Sequence, residues 1–214
     1  MRYQGIIFDL DGVICTTDHY HYLAWKALAD RLGIPFNEKD NNRLRGVSRM
    51  ASLEIILEKS DKAYTQEEKE AMATEKNDTY RQLLYQITTA DLSQEVKSTL
   101  DQLRAQGCKL AIGSASKNTP FILERLGLGS YFDAVADGNC VTHSKPDPEV
   151  FLKAAEMLGL SPAVCLVVED ADAGIEAAVG GGMRALGVGS AAGNPAAAFH
   201  APDLAHADFA AILG

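Results

Sequence analysis

Apolar residues along this chain follow two patterns, one typical of buried strands and one typical of helices. Residues 3–8, which end in an Ile-Ile-Phe run, predict a buried strand. From residue 93 onwards, the pattern predicts helices over 93–106, 118–126, 148–158 and 172–180, and strands over 109–114, 134–136, 164–168 and 183–188. Continuous apolar strands that alternate with helices indicate a parallel sheet covered on both faces. The alanine-rich tail from Gly193 predicts no element.

Only helices are predicted between the first strand and that series. Apolar residues at spacings of three and four begin near Asp18 and stop at Gly33. Ser48 begins a second predicted helix, and the capping-box sequence at Thr65 begins a third that reaches about Tyr85. The chain therefore predicts an α/β core domain over 1–16 and 88–214, with an inserted helical cap domain over 17–87.

Composition narrows the choice of partners. The 214 residues carry a net charge of −9, which argues against nucleic-acid binding because no broad basic surface is available. A small phosphorylated substrate stays open, since a few cations suffice to bind it. No apolar run reaches the roughly 20 residues that span a bilayer, and the N-terminus enters a strand without a leader pattern. With four dispersed cysteines, these features favour a reduced, cytoplasmic protein without membrane contact, and we expect a monomer.

Polar residues follow the predicted strands where each strand ends. Asp9 and Asp11 follow the first, Ser114 the second, and Glu169-Asp170 the fourth, while Lys145 lies in a loop before a helix. The carboxyl ends of parallel strands meet in one crevice, so these side chains are expected to lie together.

Each of these residues also has a simple structural explanation. Asp11 precedes a glycine and could form a turn, Glu169-Asp170 could complement a helix dipole, and Ser114 and Lys145 could be a cap and a solvated lysine. Asp9 is harder to explain in this way, because an acid between apolar residues costs several kcal/mol unless it is paired or metal-bound. Together the acids suit a magnesium ion, and Ser114 and Lys145 suit a transferring phosphoryl group.

The motifs resemble those of the haloacid dehalogenase-like superfamily of phosphotransferases. The strand-end Asp9-x-Asp11 pair, Ser114, the Lys145-Pro146 dipeptide and the Glu169-Asp170 pair carry this likeness. The resemblance implies a doubly wound, Rossmann-like parallel sheet with an inserted all-helical C1-type cap. Further segments narrow it to the β-phosphoglucomutase family: Tyr20-His21, residues 24–29, Gly46-Val47-Ser48-Arg49, Ser52-Leu53, Lys76-Asn77-Asp78, residues 114–118 and Pro120-Phe121.

The resemblance implies roles for the core residues. Asp9 would be the nucleophile that becomes an aspartyl phosphate, and Asp11 the general acid and base. One Mg²⁺ ion would be held by the Asp9 carboxylate, the Asp11 carbonyl and Asp170, with Glu169 as a ligand or close neighbour. Glucose 1,6-bisphosphate would be the intermediate between glucose 1-phosphate and glucose 6-phosphate.

It also implies roles in binding the sugar phosphate. The groups that bind or offset phosphoryl charge would be Ser114, Ala115, Lys145 and, at a distal phosphate, Arg49 with Lys117 and Asn118. Thr17 and His21 would position Asp11, with His21 engaging Lys76. The remaining predicted binding residues are Trp25, Gly46, Val47, Ser52 and Ser116. Thr17, His21 and Trp25 lie four residues apart and so share one helix face.

One position departs from the family pattern, and two other functions remain open. Thr16 stands where the family usually has an aspartate, which affects contacts of the local loop. A sugar-phosphate phosphatase on the same fold would pass the phosphoryl group to water. A nucleotide-binding module is a third possibility, because residues 187–192 fit G-x-G-x-x-A, although few residues follow them.

Overall fold

A computed structural model describes residues 2–44 and 47–214 and contains a six-stranded parallel sheet. The strand order is β3-β2-β1-β4-β5-β6. The strands are β1 Gly5–Phe8, β2 Lys109–Gly113, β3 Ala134–Ala136, β4 Cys165–Glu169, β5 Arg184–Gly187 and β6 Phe199–His200. The order reverses direction on either side of β1, which is where open α/β sheets bind their ligands.

The register of the central strands brings the predicted polar residues to one edge of the sheet. Phe8 of β1 pairs with Ile112 of β2 and with Val168 of β4. The residues that follow, Asp9 and Glu169, therefore emerge side by side at the carboxyl end of the sheet. All four residues of β1 are buried, because helices cover both faces of the sheet.

In the described part of the chain, the insertion after β1 contains four helices, α1 Asp18–Leu32, α2 Glu38–Asn42, α3 Arg49–Leu57 and α4 Gln66–Leu84. They enclose a small apolar core of their own around Trp25, Leu28 and Leu53. The remaining helices are α5 Gln94–Ala105, α6 Thr119–Arg125, α7 Glu149–Leu158, α8 Asp172–Gly180 and α9 Phe209–Leu213, with 3₁₀ turns at Thr89–Asp91, Pro162–Val164 and Gly189–Ala191. The predicted sheet and helical insertion are confirmed.

The sequence analysis did not predict three short elements, namely α2, β6 and α9. Helix α2 has five residues and depends on a capping box between Asn37 and Asp40. The tail from Gly193 is not featureless, because it contains β6 and α9. Strand β6 has only two residues, and α9 is recognisable mainly by its burial of Phe209 in the core. Elements of this length carry too few positions for a periodic pattern.

The nucleotide-binding fingerprint at residues 187–192 lacks the strand-to-helix structure that it requires. Residues 187–192 leave β5 and enter the 3₁₀ turn Gly189–Ala191, whereas the fingerprint requires a long helix at this point. Among residues 2–44 and 47–214, no helix is long and apolar enough to cross a bilayer.

Candidate active site

Asp9, Lys145 and Glu169 form a buried ionic cluster at the carboxyl end of the sheet. Lys145 Nζ lies 2.5 Å from Asp9 Oδ1 and 2.5 Å from Glu169 Oε1, and its side chain is fully buried. Burial alone would lower the pKa of Lys145, but the two carboxylates outweigh it and raise the pKa above its usual value. The lysine is therefore a fixed positive charge beside Asp9.

Glu169 has both carboxylate oxygens occupied. Oε1 contacts Lys145, and Oε2 accepts a 2.8 Å hydrogen bond from the backbone amide of Ala171. Gly174 of α8 packs against this carboxylate so closely that a β-carbon there would lie 1.8 Å from Oε1. Glu169 is therefore better suited to orienting Lys145 than to giving a metal ion a free oxygen ligand.

Asp170, the residue after Glu169, lies against the loop that follows the Asp9-x-Asp11 motif. Its carboxylate packs against Gly12, where a β-carbon would lie 2.1 Å from Oδ2. Its backbone carbonyl accepts a hydrogen bond of 2.5 Å from Ser190 Oγ, which fixes the turn after β4. Gly12 thus allows the loops after β1 and β4 to approach each other, and its φ of 82° requires glycine.

The charges of this cluster suit a divalent cation. The carboxylates of Glu169 and Asp170 both act on Asp9, and Lys145 contacts Asp9 and Glu169. Burial raises the pKa of Asp9 well above its usual value against the opposing effect of Lys145, and Glu169 and Asp170 raise it further. A bound Mg²⁺ would offset the excess negative charge, and its preferred ligands are oxygen atoms of this kind. The donor set therefore fits the ion that the sequence predicts.

Asp11 is held by the start of α1. Thr17 donates two hydrogen bonds to Asp11 Oδ1, one from its amide at 2.9 Å and a short one from its hydroxyl. The other oxygen, Oδ2, lies 3.9 Å from His21 Nε2. Burial raises the pKa of Asp11, which suits a carboxyl group that must take up and release a proton.

His21 is oriented by Lys76 of α4. Lys76 Nζ lies 2.8 Å from His21 Nδ1, so the lysine donates and Nδ1 accepts. Burial, together with Lys76 and Arg49, lowers the pKa of His21 well below its usual value. The imidazole is therefore neutral, with its proton on Nε2, the nitrogen nearest Asp11. The predicted pairing of His21 with Lys76 is present.

The loop after β2 is held by its own hydrogen bonds. Ser114 Oγ accepts from the amide of Ser116, and Ser116 Oγ accepts from the amide of Asn118, both at 3.2 Å. Asn118 Nδ2 donates to Asn77 Oδ1 at 2.9 Å, which joins this loop to α4. Gly138 packs against the Ala115 carbonyl, where a β-carbon would lie 2.4 Å away. The loop thus has a defined shape for meeting a phosphate group.

A cavity of about 700 Å³ opens between the sheet edge and the inserted helices. It is lined by nearly all the predicted residues, namely Asp9, Asp11, His21, Trp25, Val47, Arg49, Ser52, Lys76, Ser114–Asn118, Lys145, Glu169 and Asp170. Thr17 is fully buried behind Asp11, so its contact is with Asp11. Thr16, the departure from the family pattern, also lines the cavity. Gly46 lies outside the described residues.

Comparison with known proteins agrees with this geometry. A family model described as haloacid dehalogenase-like hydrolase matches residues 3–182, which include every predicted site residue. The chain belongs to the haloacid dehalogenase-like family. It is accordingly an enzyme, as the sequence predicted, and the strand-end acids, Ser114 and Lys145 stand at the carboxyl edge of that family's sheet.

Relatives within the haloacid dehalogenase-like family include a mutase and a phosphatase. The β-phosphoglucomutase of Bacillus subtilis is 44% identical over 188 residues, which cover 87% of this chain and 83% of the relative. The fructose-1-phosphate phosphatase YqaB of Escherichia coli is 35% identical over 190 residues, covering 87% and 97%. The crystal structure of a Clostridium difficile β-phosphoglucomutase matches with a TM-score of 0.93 at 39% identity, covering 99% of this chain and 96% of that one. The predicted resemblance is confirmed.

Some residues that line the cavity were not predicted as site residues, and they include two that belong to α4. Tyr80 and Asn77 of α4 both line the cavity, and both contact a predicted site residue. Tyr80 stands four residues after Lys76, so helical spacing places the two on one face. That spacing was the available signal, but α4 is mostly polar and its cavity face does not stand out as apolar.

Proposed function

We propose that this enzyme is a β-phosphoglucomutase, which interconverts β-D-glucose 1-phosphate and glucose 6-phosphate. The reaction would pass through a phosphoaspartate at Asp9 and a glucose 1,6-bisphosphate intermediate. The similarity to two β-phosphoglucomutases over most of the chain supports this substrate.

The observation that carries the proposal is that two separate sets of cationic groups line one cavity. Lys145 belongs to the sheet edge, where it contacts Asp9 and Glu169. Arg49 belongs to α3, lines the same cavity and lies near Asp78 of α4. A mutase must hold a bisphosphate at both ends, whereas a hydrolase needs a single phosphate site. Two sets in one cavity therefore favour the mutase.

The core residues would carry out the transfer. The Asp9–phosphorus bond breaks as the sugar 6-hydroxyl bonds to phosphorus, and Asp11 takes the hydroxyl proton. After the bisphosphate turns around, Asp9 attacks the 1-phosphate and Asp11 returns the proton to the departing sugar oxygen. Ser114, the Ala115 amide and Lys145 would hold the phosphoryl oxygens and offset their charge.

A magnesium ion would be held by the carboxylates of Asp9 and Asp170 and by the backbone carbonyl of Asp11. When bound, it would supply positive charge against the phosphoryl oxygens. We assign Glu169 to orienting Lys145, because both of its carboxylate oxygens already have partners.

The inserted helices would select sugar over water as the acceptor. We propose the cap limits 17–87 and the core limits 1–16 and 88–214. Arg49 would hold the distal phosphate as a bidentate clamp, joined by Lys117 and Asn118 from the core. Trp25, Val47, Ser52 and Ser116 would line the space for the sugar. Closure around the substrate would exclude water from the phosphoaspartate. We expect the enzyme to act as a monomer in the cytoplasm, and both remain predictions.

The experiment is a panel of sugar 1-phosphates assayed for 6-phosphate formation, with wild type, Arg49→Ala and Arg31→Ala compared. Arg31 also lies on the inserted helices but pairs with Glu75 on the surface, so it controls for the loss of an arginine. Arg49→Ala is expected to lower 6-phosphate formation about a hundredfold while slow transfer to water persists, since a charge-assisted clamp is lost.

Arg31→Ala should behave as wild type. Equal loss of both reactions in Arg49→Ala would contradict the distal-clamp role. Release of phosphate from every sugar, without any 6-phosphate, would favour the phosphatase instead.

A further inference from the structure

The Thr17 hydroxyl does not cap its helix, although Thr17 stands at the N-cap position. Thr17 occupies the N-cap position of α1, where a threonine side chain commonly accepts a hydrogen bond from the first turn. Its side chain makes no such capping bond. Instead the hydroxyl lies between Asp11 Oδ1 and the hydroxyl of Tyr80, which is 2.8 Å away. The N-cap side chain therefore links Asp11 to Tyr80.

The direction of the hydrogen bonds in this chain of groups follows from their proton inventory. A threonine hydroxyl has one proton, and a carboxylate can only accept, so Thr17 donates to Asp11. Tyr80 must then donate to Thr17 Oγ1. Burial raises the pKa of Tyr80 well above its usual value, which keeps that proton in place. The relay therefore runs from Tyr80 through Thr17 to Asp11 Oδ1, and each bond polarises the next.

The ring of Tyr80 supports the second neighbour of Asp11. It stacks on the His21 imidazole with ring centroids 4.0 Å apart. Lys76 Nζ lies 4.4 Å from the centroid of the Tyr80 ring and 4.6 Å from that of Trp25. One side chain thus contacts both groups that face Asp11, with its hydroxyl on Thr17 and its ring on His21.

We propose that Tyr80 is a positioning residue that fixes the orientation of the Asp11 carboxylate. Its hydroxyl directs the Thr17 proton onto Oδ1, and its ring holds His21 beside Oδ2. That leaves Oδ2 as the oxygen that meets the sugar hydroxyl. This inference rests on the proposed mutase function, in which Asp11 exchanges a proton with a sugar hydroxyl at a fixed place.

The test compares wild type, Tyr80→Phe and Tyr131→Phe with β-glucose 1-phosphate, Mg²⁺ and a trace of glucose 1,6-bisphosphate. Tyr80→Phe keeps the ring and removes only the hydroxyl. Tyr131→Phe is the matched control, because its hydroxyl donates to Asp101 at 2.8 Å on the surface, away from the cavity. Rates of 6-phosphate formation, KM values and the ratio of inorganic phosphate to 6-phosphate are measured.

Tyr80→Phe is expected to lower kcat for 6-phosphate formation about tenfold and to leave KM within about twofold, since the lost hydrogen bond does not touch a phosphate. The ratio of inorganic phosphate to 6-phosphate should rise, because water approaches from more directions than a bound sugar hydroxyl. This ratio is independent of the fraction of folded enzyme, so a loss of stability alone does not change it. Tyr131→Phe should match wild type in all three quantities.

A double variant tests the relay itself. Thr17→Val already interrupts it, so adding Tyr80→Phe should lower kcat by less than about twofold more. Independent, multiplying effects of the two substitutions would overturn the relay, as would an unchanged product ratio in Tyr80→Phe. If wild type forms no 6-phosphate, the proposed function itself fails, and that outcome is distinct from both.

Discussion

At the scale of single residues, the position of Lys145 depends on the absence of a side chain at residue 174. Lys145 is held by Asp9 and Glu169, and Glu169 in turn fills the space beside Gly174. The glycine lies within α8, where alanine would ordinarily stabilise the helix. Its place there is therefore explained by the site and not by helix formation.

Gly174→Ala should push Glu169 away from Lys145 and misplace the lysine at Asp9. We expect about a hundredfold loss of phosphoryl transfer, the scale that a misplacement of about 1 Å can cause. Turnover of β-glucose 1-phosphate and thermal unfolding measure the two effects of the substitution.

Gly180→Ala is the matched control in the same helix, because in the described part of the chain a β-carbon there would meet no atom within 4 Å beyond its chain neighbours and the backbone of its own helix. It should retain wild-type turnover. Full activity in Gly174→Ala would show that Glu169 does not set the position of Lys145.

At this scale the sequence allows a site residue to be predicted where its type is unusual for its position. Asp9 stands among apolar residues, and its buried pairing with Lys145 follows from the cost of an unpaired charge. Tyr80 and Gly174 could not be found in this way. An aromatic residue and a glycine within helices are ordinary, and only the contacts across elements give them a role.

At the scale of elements, the loop that carries Lys145 is fastened to the start of α7 by Glu149. This carboxylate accepts hydrogen bonds from the amides of Thr142, at 3.0 Å, and His143, at 2.6 Å. Those backbone bonds, to Thr142 and then His143, lower the pKa of Glu149 from 4.5 to about 2. The ionised form therefore holds the loop.

This fastening should give a pH-dependent contribution to stability. Because the pKa of Glu149 is lower in the folded state, its contribution is complete above about pH 4.5 and is lost as the pH falls towards 2. Glu149→Gln should lower Tm at about pH 6, and the difference from wild type should shrink at about pH 3.

Glu156→Gln is the control on the same helix. The Glu156 carboxylate forms an exposed ion pair with Lys153, and in the described part of the chain it fastens no loop. Its Tm should stay close to that of wild type at both pH values. An equal Tm difference between Glu149→Gln and wild type at both pH values would contradict this account of the loop.

Long periodic elements were predictable, and the contacts between them were not. The shared face of Thr17, at the N-cap of α1, with His21 and Trp25 within that helix follows from spacing, and all three meet site residues or the cavity. Which helix covers that face could not be read from the periodicity. The resemblance named Lys76 as the partner of His21, but the matching face on α4 emerged only from the packing of the two helices.

At the scale of the whole molecule, the insertion and the sheet are joined at the cavity and beside it. Asn77 of α4 meets Asn118 of the core loop at 2.9 Å. Arg125 of α6 donates to the carbonyls of Tyr85, at 2.9 Å, and Ile87, at 2.8 Å, after the end of α4. These contacts help to place Arg49 of α3 and the acids of the sheet edge around one cavity.

The parallel sheet and the helical insertion were predictable at this scale, since they depend on long apolar and periodic segments. The cavity was not, because its shape depends on how two units meet. Nor does the residue pattern alone decide between mutase and phosphatase, since both use the acids of the sheet edge. Under the proposed function, the second set of cations, on the inserted helices, would separate them.

The central claim is that the sugar, and not water, receives the phosphoryl group from Asp9. The direct measurement is a phosphorus NMR time course of β-glucose 1-phosphate with the enzyme, Mg²⁺ and a trace of glucose 1,6-bisphosphate. We predict that the glucose 6-phosphate signal replaces the substrate signal with little inorganic phosphate. Stoichiometric inorganic phosphate without glucose 6-phosphate would contradict the account.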